Sequence, residues 1–320
     1  MSRPESCPAC GSSSTADYWL AASVKPFVLR QCGSCQLVFT APWPSDAELA
    51  KAYSGEYYGP ASRRFWPILE RLVRAFRRRR AEQIAKLTPP GQALDIGCGR
   101  GWTLAALRDL GWQVQGVELN ESAARHARET LGIDVAIGGF DASRYQPESF
   151  DAVILWHVFE HLRSPQETLA GVSRILRPGG VLALAVPNRA SWQARLTGDA
   201  WFHLDLPRHL WHFSRDDLYR LFDQHGLEIV AENHASWEQN PFGWLQSMLN
   251  RVGLPHNLLY DLIRHESARG IEQPWRTHFA SSLLSVLGGS ALLPAALAML
   301  LPEQIFKTGA TVELHAIKRR

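Results

Sequence analysis

Along residues 91–230 the apolar positions change period in a regular way. Short, mostly apolar runs at 93–96, 114–118, 134–136, 151–156 and 181–186 read as strands. Between them, 102–110, 122–131 and 165–176 repeat their apolar residues at helical spacing. Strand and helix alternating in this way predict a doubly wound parallel sheet. Residues 227–233 read as a sixth strand and 311–317 as a seventh, with an insertion at 237–307 between them that is far longer than a hairpin needs. Within it, 279–302 carry no charged side chain. That length permits a membrane span, but Gly288, Gly289, Ser290 and Pro294 divide it into two short apolar helices, and the last strand must return to the sheet. A buried helical hairpin or lid, a membrane-surface or re-entrant segment, and a true span are the readings it leaves, in that order of preference.

Upstream, residues 62–87 are helical by spacing (Phe65, Ile68, Leu69, Leu72, Phe76, Ile84, Leu87), and Pro89-Pro90-Gly91 stops them. The opposite face carries Arg63, Arg64, Arg71, Arg74 and 77–80, which reads as a solvated face or as one that meets lipid or phosphate. Ser45 and Asp46 cap a short helix reaching Tyr53, and Tyr57-Tyr58-Gly59-Pro60 is a turn.

The net charge of only +3 over 320 residues supplies no field that would select nucleic acid. Four of the five cysteines form the pairs Cys7/Cys10 and Cys32/Cys35, spaced as in four-cysteine zinc ribbons, with free thiols or a redox pair as the alternative. Between the pairs, 18–20 and 27–29 suit a short hairpin, and 37–39 a third strand. So small a segment has too little core to fold alone, so metal would supply the folding energy. Unpaired thiols and a start without an apolar leader point to the cytoplasm. The chain therefore divides into a ribbon at 1–44, a linker and basic helix at 45–90, and a third unit at 91–320 that contains the insertion.

The chemistry concentrates at 94–101, where a strand ends in Asp95 and runs into Gly97, Gly99 and Gly101 before a helix. Such a turn presents free N–H groups and the positive end of a helix dipole to a ligand. A dinucleotide fingerprint would place its third glycine at Trp102, which disfavours a nicotinamide oxidoreductase. Asp95 would repel a pyrophosphate yet suits an ammonium, and Glu118 ends the next strand where a ribose diol is held.

LDIGCGRG, the acid at Glu118, FDAVILWHVFEHL and the LRPGG turn before the fifth strand together resemble class I S-adenosylmethionine-dependent methyltransferases, over residues 91–230. The resemblance implies a Rossmann-like α/β fold with a seven-stranded sheet whose last strand inserts antiparallel. It implies that Gly97, Gly99 and Gly101 lie under the methionine and ribose, that Asp95 orients the amino group, and that Glu118 holds both ribose hydroxyls. Phe140 and Asp141 would meet the adenine, Trp156 would lie near the sulfonium, and Ile96, Cys98 and Leu119 complete the cofactor set. Cys98 is thereby kept out of the zinc site.

His157-Val-Phe-Glu160-His161 also matches the HxxEH pattern of a zinc protease class, but that pattern needs one helix face and here it follows a strand. Downstream, His209 and His212 precede a helix capped by Ser214. An acid and histidines so placed resemble metal-dependent O-methyltransferases, including those of small-RNA ends and of ubiquinone biosynthesis, except that His157 stands where their first glutamate stands. His157, Glu160, His161, His209 and His212 are the catalytic candidates, as general base and acceptor-orienting groups or as ligands of a divalent ion. The reading is a methyltransferase of a small-molecule, saccharide or lipid-linked acceptor, with oxygen the expected atom. The competing reading is a non-catalytic zinc-ribbon module on the same fold. Oligomeric state is not legible in the residues.

Overall fold

The computed structural model describes residues 6–18, 26–53, 67–264 and 278–320. Trp19 and Leu20 of the expected hairpin, the turn at 57–60, and Arg63, Arg64 and Phe65 of the basic helix lie outside the described residues. The N-terminal strands are β1 (Thr15–Asp17), β2 (Val28–Cys32) and β3 (Val38–Ala41), followed by helices α1 (Asp46–Tyr53) and α2 (Pro67–Ala85). The central unit contains β4 (Gln92–Ile96), α3 (Trp102–Asp109), β5 (Gln113–Glu118), α4 (Glu121–Leu131), β6 (Asp134–Ile137), β7 (Phe150–Trp156), α5 (Pro165–Ile175), β8 (Leu176–Pro187) and α6 (Trp192–Thr197). Then come β9 (Trp211–His212), α7 (Arg215–Gln224), β10 (Leu227–Asn233), α8 (Asn240–Arg251), α9 (Leu258–Ile263), α10 (Phe279–Ala298), α11 (Leu300–Phe306) and β11 (Thr311–Lys318).

Seven strands form the main sheet in the order β10-β11-β8-β7-β4-β5-β6. β4 to β8 pair in parallel, while β11 runs antiparallel to both β8 and β10. β4 and β7 are central and buried on both faces, which explains why Ala93, Leu94 and Ile96 of one and residues 152–156 of the other are apolar. Local signals set the helix ends: the Asn120 side chain accepts the Ala123 N–H at the start of α4, Gly132 closes that helix in the left-handed region, and Ser214 and Asp217 form a capping box on α7.

The ribbon shares its core with the rest of the molecule. β1, β2 and β3 form a second sheet whose fourth strand is β9, with Val38 opposite His212 and Phe39 opposite Trp211. Cys7, Cys32, Leu37 and Phe39 pack into the same apolar cluster as Leu94, Leu155 and Phe213.

Two expectations change. The glycines and proline do not divide the apolar stretch: α10 continues through Gly288, Gly289 and Pro294, and the break falls at Met299. Gly288 and Gly289 lie against Leu249 and Leu259, so their lack of a Cβ permits close packing instead of ending the helix, and Pro294 lies on the exposed face. Nor is the arginine face wholly solvated. Arg80 is only 5% exposed, because Phe76, Arg80 and Ile84 share one stripe of α2 at four-residue spacing.

Candidate functional site

The glycine turn between β4 and α3 is built by positive backbone angles at Gly97 (φ 73°), Gly99 (φ 54°) and Gly101 (φ 80°), which L side chains adopt only with strain. A Cβ on Gly97 would lie 2.4 Å from Val158 Cγ2, so the turn packs directly on the segment that follows β7. Over Gly99 the space is open, with nothing within 4 Å of a Cβ built there. Glu118, 3% exposed, ties this turn to the next: its carboxylate accepts the Gly99 N–H at 2.8 Å and the Asn120 N–H at 2.8 Å. One of the turn's donors is thus already taken by the chain. Burial raises the Glu118 pKa, against the pull of those backbone N–H groups.

Asp95, 4% exposed, is the last residue but one of β4, paired through its backbone with β5 and β7, while its carboxylate makes no hydrogen bond among the described residues. Burial pushes it up to about 7, opposed by the charges of Arg80 and Arg77. Cys98 turns its thiol inward against Gly116, Leu104 and Val135, and Ile96 is likewise core, so both reach the turn through backbone alone. Leu119 is 72% exposed beside Glu118, an apolar lip at the end of β5. Asp141 is exposed and accepts the Ser143 N–H at 2.9 Å, with Phe140 stacked on Tyr145 behind it.

At the end of β7 the backbone of His157 is left-handed (φ 54°) and its N–H donates to the Ala185 carbonyl at 2.8 Å. His157 Nδ1 stands 3.4 Å from Glu160 Oε1, while its Nε2 is buried without a partner. Glu160 is 1% exposed and neither oxygen is hydrogen bonded. The ligand atoms of Glu160, His161 and His209 lie within 4.8 Å of one another. His161 Nδ1 is 2.9 Å from the Arg208 carbonyl and 3.1 Å from the Tyr53 hydroxyl, and His209 Nδ1 is 2.9 Å from the His203 carbonyl. His212 is placed differently: it belongs to β9, and its Nε2 meets Thr40 Oγ1 of the ribbon at 3.2 Å. Burial holds His209 well below its ordinary value and His212 at about 3, so both are neutral at physiological pH.

The structure adds residues that the sequence did not single out. The Arg80 guanidinium lies 3.7 Å above the Trp156 ring and donates to Thr103 and Glu238, which also receives Arg77 at 2.6 Å. A small, open pocket lies beside them, lined by Phe76, Arg79, Arg80, Trp156, Trp237 and Glu238. Next to His157, the buried His203 Nε2 and Gln193 Oε1 both lack partners, and both converge on Gly243, whose Cβ would come within 2.8 and 2.6 Å of them. The helical register of α2 was a usable signal for Arg80. Nothing local marks Gln193 or Gly243, because their roles arise from α6 and α8 meeting.

In the ribbon, Cys7 Sγ is 3.6 Å from Cys35 Sγ and Cys10 Sγ is 3.6 Å from Cys32 Sγ, all four within 4.8 Å of one another. The Ser34 and Cys35 N–H groups point at Cys32 Sγ at 3.3 and 3.4 Å, as a metal-bound thiolate requires.

A family described as "Methyltransferase domain" matches residues 65–232, more than half of the chain. The chain belongs to this methyltransferase family. It is 30% identical to a ubiquinone biosynthesis O-methyltransferase of Xanthomonas campestris over 138 residues, 40% of this chain and 58% of that protein. The chain thus spans little more than half the length of that relative. A protein of the same description from Cereibacter sphaeroides is 31% identical over 169 residues, 49% of this chain and 68% of the relative. Among solved structures, a SAM-dependent methyltransferase from Archaeoglobus fulgidus is 18% identical, covering 78% of this chain and 94% of its own at a TM-score of 0.44. The carboxyl ends of β4 and β5 and those of β7 and β8 form the two neighbouring halves of the crevice at the sheet's edge.

Proposed function

We propose that this chain is an S-adenosylmethionine-dependent methyltransferase that methylates an oxygen of a small-molecule, saccharide or lipid-linked acceptor in the cytoplasm. The observation that carries the reading is Glu118, a buried carboxylate clamped between two backbone N–H groups with open space over Gly99 and an exposed Leu119 beside it. Those residues fit an adenosyl group: Glu118 has lone pairs left for a ribose diol, Leu119, Phe140 and Asp141 suit the adenine, and the unbonded Asp95 suits the ammonium. When bound, S-adenosylmethionine supplies an electrophilic methyl group on a sulfonium.

The chain's own residues supply the rest. Arg80, stacked on Trp156 and held by Glu238, fixes the indole at the end of β7. Holding donor and acceptor in line is worth roughly 7–11 kcal/mol in well-oriented reactions. His157 is the general base: its free Nε2 takes the acceptor hydroxyl proton, and the Glu160 carboxylate beside Nδ1 orients the ring and stabilises the imidazolium. His203 and Gln193 offer an unpaired acceptor or donor each to a polar substrate edge. The four ribbon cysteines hold one structural zinc.

A second reading has its own observation, since Glu160, His161 and His209 converge as three ligands would; there a divalent ion would bind the acceptor oxygens in place of a base. Calorimetric titration with S-adenosylhomocysteine tests the donor site: binding to the wild type and binding about 10- to 100-fold weaker in Glu118→Ala are expected, and unchanged binding overturns the reading. Activity that survives chelation with the ribbon zinc retained excludes the ion.

A further inference from the structure

The outer face of the insertion is built the opposite way from a helix of a water-soluble core. Along α10 the small residues face the protein: Ser282, Ser285, Gly289 and Ala296 are buried. The large ones face out, with Phe279, Leu283, Leu284, Leu287, Leu293 and Leu297 each 40–65% exposed. α11 extends that face with Leu301, Ile305 and Phe306 at 63–67% exposure. In water such a helix hides its least apolar side and wets its most apolar one; small residues inward and large apolar residues outward is the arrangement of helices packed in lipid.

Charge and topology identify the occupant. Among the described residues of 240–264 and 278–307 the exposed ionisable side chains are Arg251, His256, His278 and Lys307, of which Lys307 pairs with Glu232; Asp261 is half-buried and Glu303 is buried against Asn240 and Trp244. Arg251 at that rim complements a lipid phosphate. A protein partner would ordinarily meet a mixed polar rim, which 279–302 does not offer. α10 is long enough to cross a bilayer, but Gly288 and Gly289 hold its middle against Leu249 of α8 and Leu259 of α9, and β11 re-enters the main sheet at Thr311. The helix therefore lies along a surface. Arg77 and Arg80 of α2 are not part of the anchor, because both pair with Glu238.

We propose that α10 and α11 seat this chain on one leaflet of a lipid bilayer, their large side chains entering the edge of the hydrocarbon and Arg251 at their rim meeting the head groups. The inference goes beyond the methyl-transfer reading and does not depend on it. The full chain is expected to co-sediment with phosphatidylcholine vesicles, more strongly when phosphatidylglycerol is added, and with only partial loss in high salt. The double variant Leu284→Asp/Leu287→Asp should partition at least tenfold more weakly with its unfolding midpoint and S-adenosylhomocysteine binding unchanged, since both positions are exposed. Leu287→Trp, which keeps the surface apolar, should be quenched by brominated lipid. Wild-type protein that stays in the supernatant with both vesicles, or an unquenched Leu287→Trp, overturns the proposal. So does a double variant that keeps full vesicle partition while sedimentation velocity shows a dimer turned to monomer, which would assign the face to self-association.

Discussion

The two halves of the crevice differ in how their buried polar groups are answered. On the β4–β5 side the Glu118 carboxylate is met by backbone N–H groups of two turns, and the turn glycines are packed from below by Val158 and Ala127. On the β7–β8 side, His157 Nε2, both Glu160 oxygens, His203 Nε2 and Gln193 Oε1 are buried and unanswered. An unmet buried polar group costs about 1–3 kcal/mol. The contrast suits a donor site whose form is generic and complete within the chain, beside an acceptor site whose polar groups are completed by the substrate.

The largest effect expected from breaking this contrast is at the base. His157→Gln should lower kcat by about 10²- to 10⁴-fold while leaving the cofactor dissociation constant unchanged, as read by steady-state kinetics and calorimetry together. A matched loss of cofactor affinity would erase the division into halves. Next, Glu118→Ala should weaken cofactor binding about 10- to 100-fold, the worth of one or two hydrogen bonds to a charged group, with no change in the acceptor KM. Cys32→Ser should release about one zinc per chain by elemental analysis and lower the unfolding midpoint of the whole molecule, since Cys32 lies in the shared core.

A smaller effect is set by pH. Asp95, raised to about 7 in the fold, binds more protons there than in the unfolded chain between its ordinary value of 3.8 and about 7. Stability of the ligand-free protein therefore falls as pH rises through that window. A cationic ligand needs the ionised form, so affinity should rise with pH up to about 7, by at most tenfold per unit, and the slope should vanish in Asp95→Asn. The smallest effect belongs to Gly243→Ala, which crowds Gln193 and His203: a loss of about 1–3 kcal/mol of stability and a raised acceptor KM, with cofactor binding intact.

By itself the order of residues determined the sheet, because period and punctuation are local: short, mostly apolar runs, Asn120 and Ser214 as caps, and glycines where the chain must turn left-handed. It also determined the short-range groups of the donor side, Asp95, the glycine turn and Glu118, which lie on consecutive strands of a parallel sheet and so come together at its carboxyl edge. Only the tertiary structure decided what depends on distant elements meeting. It divided the five histidine and acid candidates, tying His212 to Thr40 of the ribbon and leaving Glu160, His161 and His209 together. It paired Arg80 with Glu238, brought Gln193, His203 and Gly243 to one point, and joined the ribbon to β9 in one sheet. Gly288, Gly289 and Pro294 show why: a local propensity to break a helix is worth about 1–3 kcal/mol per residue, and the packing of α10 on α8 and α9 overrides it.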